Sequence, residues 1–324
     1  MSNTATAAGA QAPASDDGID RQLLLGRPHQ RHGLLWLTAA IVLFAIFLVG
    51  YSLVTNPRFE WGVVFGWFAS ERLFTGLLRT LELTAIAMTV GIVVGALLAL
   101  ARLAPNFIVA GVAAFLVWIF RGVPVFVQLL FWGFIAAIYP RIAVGIPFGP
   151  EFFSVDANMI ITPFLAAILG LGLNEGAYMS EIIRAGLLSV HRGQTEAAKA
   201  LGMKRFTILW RIVLPQAMKI IIPPTGNQTI SMLKTTSLVS VLAFPELLYS
   251  AQLVYSANFK TIPLLIAASL WYLLVTSILS LGQFYVERHF NRGTATPGRT
   301  PRRSSLRKAK ALQSRTAAAK EVQS

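Results

Sequence analysis

Long apolar stretches alternate with short polar ones along this chain, and the lengths of the apolar stretches carry the first inference. Residues 34–54 run 21 residues without a charge, close to the ~20 helical residues that a bilayer core requires. A second stretch covers residues 76–101. Residues 107–140 are too long for one straight crossing, and Arg121-Gly122-Val123-Pro124 interrupts them. The proline lacks a backbone donor, so the helix bends or breaks there. That predicts an approach helix near the inner surface, then a third crossing at 124–139. A fourth crossing is expected at 159–188, a fifth at 216–243 bent by Pro223-Pro224, and a sixth at 262–285.

The polar segments between them have their own signals. Residues 55–73, with Asn56-Pro57-Arg58, read as a short exposed loop, and Arg102 to Asn106 as an inside turn. Residues 141–158 carry turn formers at Gly145, Pro147, Gly149 and Pro150 and a net charge of −1 from Arg141, Glu151 and Asp156, which suits an outside loop. Pro245 reads as the start of a short helix over 245–258 near the outer surface, since proline is favoured at the first helical position.

Composition agrees with this pattern. The chain is 55% hydrophobic and 13% charged, against about 25% charged in soluble domains. The reading is an all-α polytopic membrane protein with six transmembrane helices. The net charge of +14 is local: residues 287–324 hold ten Lys and Arg against two Glu, and residues 191–211 hold five against one. Lys and Arg mark the cytoplasmic side of membrane proteins. This argues against a nucleic-acid partner and puts both termini in the cytoplasm, Arg21, Arg27 and Arg31 preceding the first crossing. The first apolar run is too long, and begins too far along, for a cleaved signal peptide. There is no cysteine, and none of His29, His32, His191 and His289 lies inside an apolar stretch. Neither a disulfide framework nor a metal site is expected. Residues 1–33 and 288–324 read as unstructured cytoplasmic tails, the latter basic.

The most informative polar segment is Glu196-Ala197-Ala198-Lys199-Ala200-Leu201-Gly202, followed at fixed distance by Ile212-Val213-Leu214-Pro215. Thr195 is expected to cap a helix, with Glu196 in its first turn against the helix dipole. Ala197, Ala198 and Leu201 are placed on one face, where small side chains allow a partner close approach. Gly202 supplies a left-handed turn that ends the helix. Such a compact element between two crossings is a docking surface on the cytoplasmic side.

Residues 196–215 resemble the EAA loop of the permease subunits of bacterial ABC importers. Phe120-Arg121-Gly122-Val123-Pro124-Val125-Phe126-Val127-Gln128 resembles the R-G-x-P-x-x-V-Q segment of the polar amino acid permeases. Asn174 through Arg184 resembles their fourth-span motif, and Asn227 through Lys234-Thr235-Thr236-Ser237-Leu238 their N-x6-K-x-T-S-L segment. The resemblance covers residues 74–287 and implies a type I permease core of five helices. Residues 34–54 are then an extra N-terminal helix. It implies a multi-pass subunit of the bacterial inner membrane and a coupling loop made by Glu196, Ala197, Ala198, Leu201 and Gly202. The implied partners are ABC ATPase subunits, a periplasmic or lipid-anchored substrate-binding protein, and a second permease copy or paralogue. This chain has no G-x-x-x-x-G-K-[ST] phosphate loop. No cofactor is expected on it; ATP and Mg belong to the partner ATPase, and the chain is not an enzyme.

Polar residues inside the crossings are the second clue, because they are costly in lipid and face cavities or partners. Asn174, Tyr178 and Glu181 share one helix face, with Glu175 one position off it and Arg184 spaced to pair with Glu181. In the fifth crossing Asn227, Ser231 and Lys234 form a stripe, and Pro223-Pro224 frees carbonyls that can line a cavity. An amino acid substrate needs donors for its carboxylate and acceptors for its ammonium. The candidates for its pathway are Asn174, Tyr178, Glu181, Gln228, Ser231, Lys234 and Thr236. The competing reading is that these groups hold helices together. Gly91 and Gly95 fit either a partner interface or packing within the subunit, and Arg79 with Glu82 fits a paired or snorkelling couple. An ion-gradient-driven secondary transporter is the alternative function, although that class shows inverted repeats and no clear internal repeat is evident here. A membrane hydrolase would need a nucleophile and base or a metal pair, which the crossings do not offer.

Overall fold

The computed structural model describes residues 32–146 and 151–290. The expectations for the tails before residue 32 and after residue 290 lie outside the described residues. The chain divides into two units, residues 1–59 and 60–324. In the first, helix α1 (His32–Thr55) matches the first apolar run. Its 24 residues make a rod about 36 Å long at 1.5 Å per residue, enough to cross a bilayer core of about 30 Å. A short 3-10 turn follows at Pro57–Phe59.

The second unit begins with a correction. Residues expected in a loop form helix α2 (Trp61–Phe68). The segment Trp-Gly-Val-Val-Phe-Gly-Trp-Phe is apolar enough to need burial, and it finds it: Val64 is buried, and Trp271 donates its Nε1–H to the Phe68 carbonyl at 2.9 Å. The two rings stack with centroids 4.5 Å apart. Helix α3 (Glu71–Arg102) starts five residues before the predicted crossing because Ser70 caps it, its Oγ accepting from the Leu73 amide. Helix α4 (Phe107–Gly122) and helix α5 (Val125–Gly133) meet at a 100° bend, as Arg121-Gly122-Val123-Pro124 predicted, but the nine residues of α5 are too few to form the crossing expected at 124–139. A single turn, α6 (Ile135–Ile138), ends this part.

The expected outside loop contains a small antiparallel hairpin, β1 (Arg141–Gly145) against β2 (Glu151–Asp156). After α7 (Ala157–Ile160) comes the long central helix α8 (Pro163–Leu188), capped by Thr162 with Pro163 in its first turn. A polar element follows, helix α9 (Arg192–Ala200) and α10 (Arg205–Ile208). A π turn at Leu209–Val213 then leads into α11 (Leu214–Thr235), which continues through Pro223 and Pro224. A 3-10 segment, Thr236–Leu242, closes this crossing. The next helix, α12 (Leu247–Asn258), is capped by Glu246 and not begun by Pro245. The Glu246 carboxylate accepts from the Leu248 and Tyr249 amides at 2.8 and 2.6 Å and from the Tyr272 hydroxyl at 2.9 Å. A carboxylate satisfies two free amides at once, which proline does not. Helix α13 (Thr261–Phe290) is last.

Helices α3 and α8 form the most extensive pairing among the described residues. Gly91 and Gly95 make it possible, facing Glu175 and Met179 of α8. The pair therefore serves packing within the subunit. Two apolar clusters flank this axis. One joins α2, α3, α12 and α13 through Val64, Leu77, Leu247 and Leu264. The other joins α3, α5, α8 and α11 through Leu83, Leu129, Leu171 and Met232. Among the described residues, four helices are long and apolar enough to cross a membrane, or five when the bent pair counts as one. Helix α8 is long enough but carries Glu175, Glu181 and Arg184.

Candidate functional site

The break between α4 and α5 builds the site. A helix that stops inside an apolar core leaves carbonyls without partners. Gln128 supplies them: its Nε2 donates to the Phe120 carbonyl at 2.8 Å and to the Val123 carbonyl at 2.9 Å. Asn174 on α8 donates to the same Phe120 carbonyl at 2.7 Å. The spacing from Arg121 to Gln128 is thus a structural device that holds an open end of helix against α8.

Beside this joint lies a pocket of about 250 Å³ lined by Val125, Leu171, Asn174, Glu175, Tyr178, Gln228, Ser231, Met232 and Thr235. Four of the predicted pathway residues, Asn174, Tyr178, Gln228 and Ser231, come together here. Three do not line it. Thr236 is fully buried, with its hydroxyl donating to the Leu233 carbonyl at 2.7 Å. Lys234 is exposed and is not part of the lining. Glu181 belongs to an adjoining pocket of about 380 Å³, which shares Tyr178 with the first. Glu175 and Thr235 belong to the pocket and were not among the predicted pathway residues. Glu175 is 6% exposed.

Glu181 sits under three arginines. Arg102, the last residue of α3, approaches its Oε1 at 2.7 Å, and Arg121 at the end of α4 reaches the same oxygen at 3.3 Å. Arg184, one turn along α8, binds Oε2 through Nη2 at 3.0 Å and through Nε at 3.3 Å. The predicted Glu181–Arg184 pair is part of this larger cluster. The Arg121 guanidinium also lies 5.2 Å from the centre of the Tyr178 ring, a cation–π contact. One carboxylate thereby ties the ends of α3 and α4 to α8. Replacing Glu181 by glutamine leaves three cations facing one another. The expected loss is roughly 1–3 kcal/mol, between the values for exposed and buried pairs. Thermal unfolding of the purified protein checks this. Arg102→Gln combined with Glu181→Gln should cost less than the sum of the two singles, since both remove one interaction. Strict additivity would refute the coupling. By contrast, no ion pair joins Arg79 and Glu82 among the described residues; both are exposed on α3.

The polar element after α8 departs from expectation at its start. Helix α9 begins at Arg192, capped by His191, whose Nδ1 accepts from the Gly193 amide at 3.1 Å. Thr195 is therefore inside the helix, and Glu196 lies beyond the first turn. Ala198 is also not on the outward face. It is 2% exposed, against the chain itself, while Glu196, Ala197 and Leu201 are exposed. The helix ends as predicted. Gly202 has φ +74°, its amide donates to the Lys199 carbonyl at 2.9 Å, and the Met203 amide donates to the Ala198 carbonyl at 3.1 Å. These are the two bonds of a Schellman turn. Leu201, Phe206 and Trp210 are large apolar side chains left exposed around it.

A polar pocket among apolar helices, with a polar elbow between two of them, fits a membrane transport subunit. Residues 91–292 match the family model described as "Binding-protein-dependent transport system inner membrane component", and the chain belongs to that family. It is 45% identical over 269 residues to the arginine transport system permease protein ArgU of Corynebacterium glutamicum, covering 82% of each chain. It is 33% identical over 223 residues to the glutamine transport system permease protein GlnP of Escherichia coli, covering 69% of this chain and 94% of that one. Among solved structures it is similar to one described as "Crystal structure of an amino acid ABC transporter with histidines". The TM-score there is 0.57 at 32% identity, covering 67% of this chain and 94% of the other. The chain is the permease subunit of an ABC importer for amino acids, and family membership does not favour the ion-gradient alternative.

Proposed function

We propose that this subunit crosses the inner membrane six times with both termini in the cytoplasm. A polar amino acid passes through the pocket between α8 and α11. The bent pair α4 and α5 is one crossing and α8 is another. Its charged side chains are tolerated because α3, α5 and α11 surround it. The observation that carries the reading is the polar pocket, where Asn174, Tyr178, Gln228 and Ser231 offer both donors and acceptors among apolar walls. A substrate with one carboxylate and one ammonium needs both.

The partners follow from surfaces that the subunit leaves open. Asn227, Ser231 and Lys234 are exposed on α11, and polar groups on a membrane helix require protein or water against them. A second permease copy or paralogue supplies that cover. The elbow at Glu196, Ala197, Leu201 and Gly202 is the coupling element, seated on an ATPase subunit that holds ATP and Mg, while this chain binds neither. A substrate-binding protein delivers the amino acid from outside. Reconstitution in liposomes with the neighbouring ATPase and binding protein tests the reading. Uptake of a radiolabelled amino acid should require internal ATP and persist when ionophores collapse the ion gradients. Uptake that follows the gradients without ATP would overturn it.

A further inference from the structure

We infer that the pocket selects amino acids with a cationic side chain, and that Glu175 is the residue that selects them. This rests on the proposal that the pocket between α8 and α11 holds the substrate. Glu175 is more than nine-tenths buried and lines that pocket. Its stem is fixed: a Cβ placed on Gly91 would come within 2.6 Å of its Cγ and 2.8 Å of its Cβ. Only a glycine at 91 lets the Glu175 stem lie so close to α3, and the carboxylate is left at the pocket wall beside Gln228.

The charge of this group has no counter-ion within the described residues, Gln228 being its hydrogen-bond partner. Glu175 enters no ion pair, and its Oε1 has no hydrogen-bond partner. The cations that might have served are committed or elsewhere. Arg102, Arg121 and Arg184 all bind Glu181, and Lys234 is outside the pocket lining. The remaining polar lining is neutral. A carboxylate placed in a low-dielectric site without a counter-ion is costly, and the cost is offset when a cation arrives. A guanidinium or ammonium at the end of a substrate side chain brings that cation. The apolar walls from Val125, Leu171 and Met232 suit the aliphatic stem leading to it. An acidic side chain is repelled, and a neutral one leaves the carboxylate as it was.

The comparison that isolates charge is L-arginine against L-citrulline, which share shape and differ in the terminal cation. Equilibrium binding of both is measured on the purified complex of permease and ATPase in nanodiscs, with the binding protein left out so that it does not impose its own choice. The wild type should prefer arginine over citrulline by about tenfold to a hundredfold, the range of hydrogen bonds to a charged group. L-Lysine should compete with arginine and L-glutamate should not. Glu175→Gln should bring the arginine-to-citrulline ratio close to one. Equal wild-type binding of arginine and citrulline overturns the inference without any variant having to fold. So does an unchanged ratio in Glu175→Gln. A complex that binds citrulline or glutamine as well as arginine keeps the pocket as the substrate site and removes only the charge selection. One that binds no amino acid removes both.

Discussion

Gly95→Leu should leave no stable permease. A Cβ at that position would lie 2.5 Å from the Met179 Cβ, 2.9 Å from the Ser180 amide nitrogen and 3.0 Å from the Gly176 carbonyl oxygen. Two of those three atoms are backbone, so no rotamer change makes room. Helices α3 and α8 would have to separate, and the apolar cluster that joins α3, α5, α8 and α11 is built across that pairing. Overpacking of a core costs about 1–3 kcal/mol and sometimes more; backbone collision in the central pair belongs above that range. The expected result is aggregation on detergent extraction, read by size-exclusion chromatography. Gly111→Leu is the control, because no heavy atom lies within 4 Å of a Cβ built there. A monodisperse Gly95→Leu protein that melts with the wild type would mean that α3 and α8 do not pack as described.

Gly202→Leu should spare the fold and abolish transport. A Cβ at residue 202 meets nothing within 4 Å, so the chain has no steric quarrel with leucine. The objection is conformational: φ is +74°, and a left-handed residue with a Cβ costs about 1–2 kcal/mol. Relaxing that strain breaks the bonds from residues 202 and 203 back to Lys199 and Ala198 and redirects the end of α9. On the proposal that this element seats on the ATPase, insertion and melting of the permease stay near wild type. ATPase co-purification weakens and uptake falls more than about tenfold, equivalent to losing 1.4 kcal/mol of coupling. Gly202→Asn should retain most transport, since asparagine tolerates the left-handed region. Normal uptake by the leucine variant would show that the turn at Gly202 is dispensable for coupling.

The larger elements were legible because a bilayer imposes a length on apolar helices, and the break at Gly122-Val123-Pro124 because a proline disfavours helical backbone at the residue before it; the same signal at Pro223-Pro224 ends no helix, since α11 runs through both. What escaped reading has local causes. Helix α2 was hidden behind Asn56-Pro57-Arg58, whose turn signal ends before Trp61. The hairpin at β1 and β2 has too few residues for alternation to stand out. His191 caps α9 with a ring nitrogen, whereas sequence preference points to Ser, Thr, Asp or Asn. Ala198 looked outward because helical spacing groups it with Ala197 and Leu201, but it does not say which side of the helix meets the chain.

The pocket was half legible for a geometric reason. A helical stripe of positions 174, 178 and 181 describes a line along a helix, whereas a cleft between two helices takes an arc of positions. Residues 174, 175 and 178 form that arc, adjacent positions being separated by about 100° at 3.6 residues per turn. Glu175 therefore entered and Glu181 left. On α11 the same shift exchanged Lys234 and Thr236 for Thr235.

The Phe120 carbonyl has a consequence for how a loaded pocket is felt elsewhere. It is held by Gln128 from one side and by Asn174 from the other, like a rivet through two plates, and the next residue along is Arg121, which grips Glu181 and covers Tyr178. A solute that claims the Asn174 amide takes it from that rivet. On the proposal that the pocket holds the substrate, occupancy and the angle between α4 and α5 are thermodynamically linked: whatever loosens the one biases the other by an equal free energy.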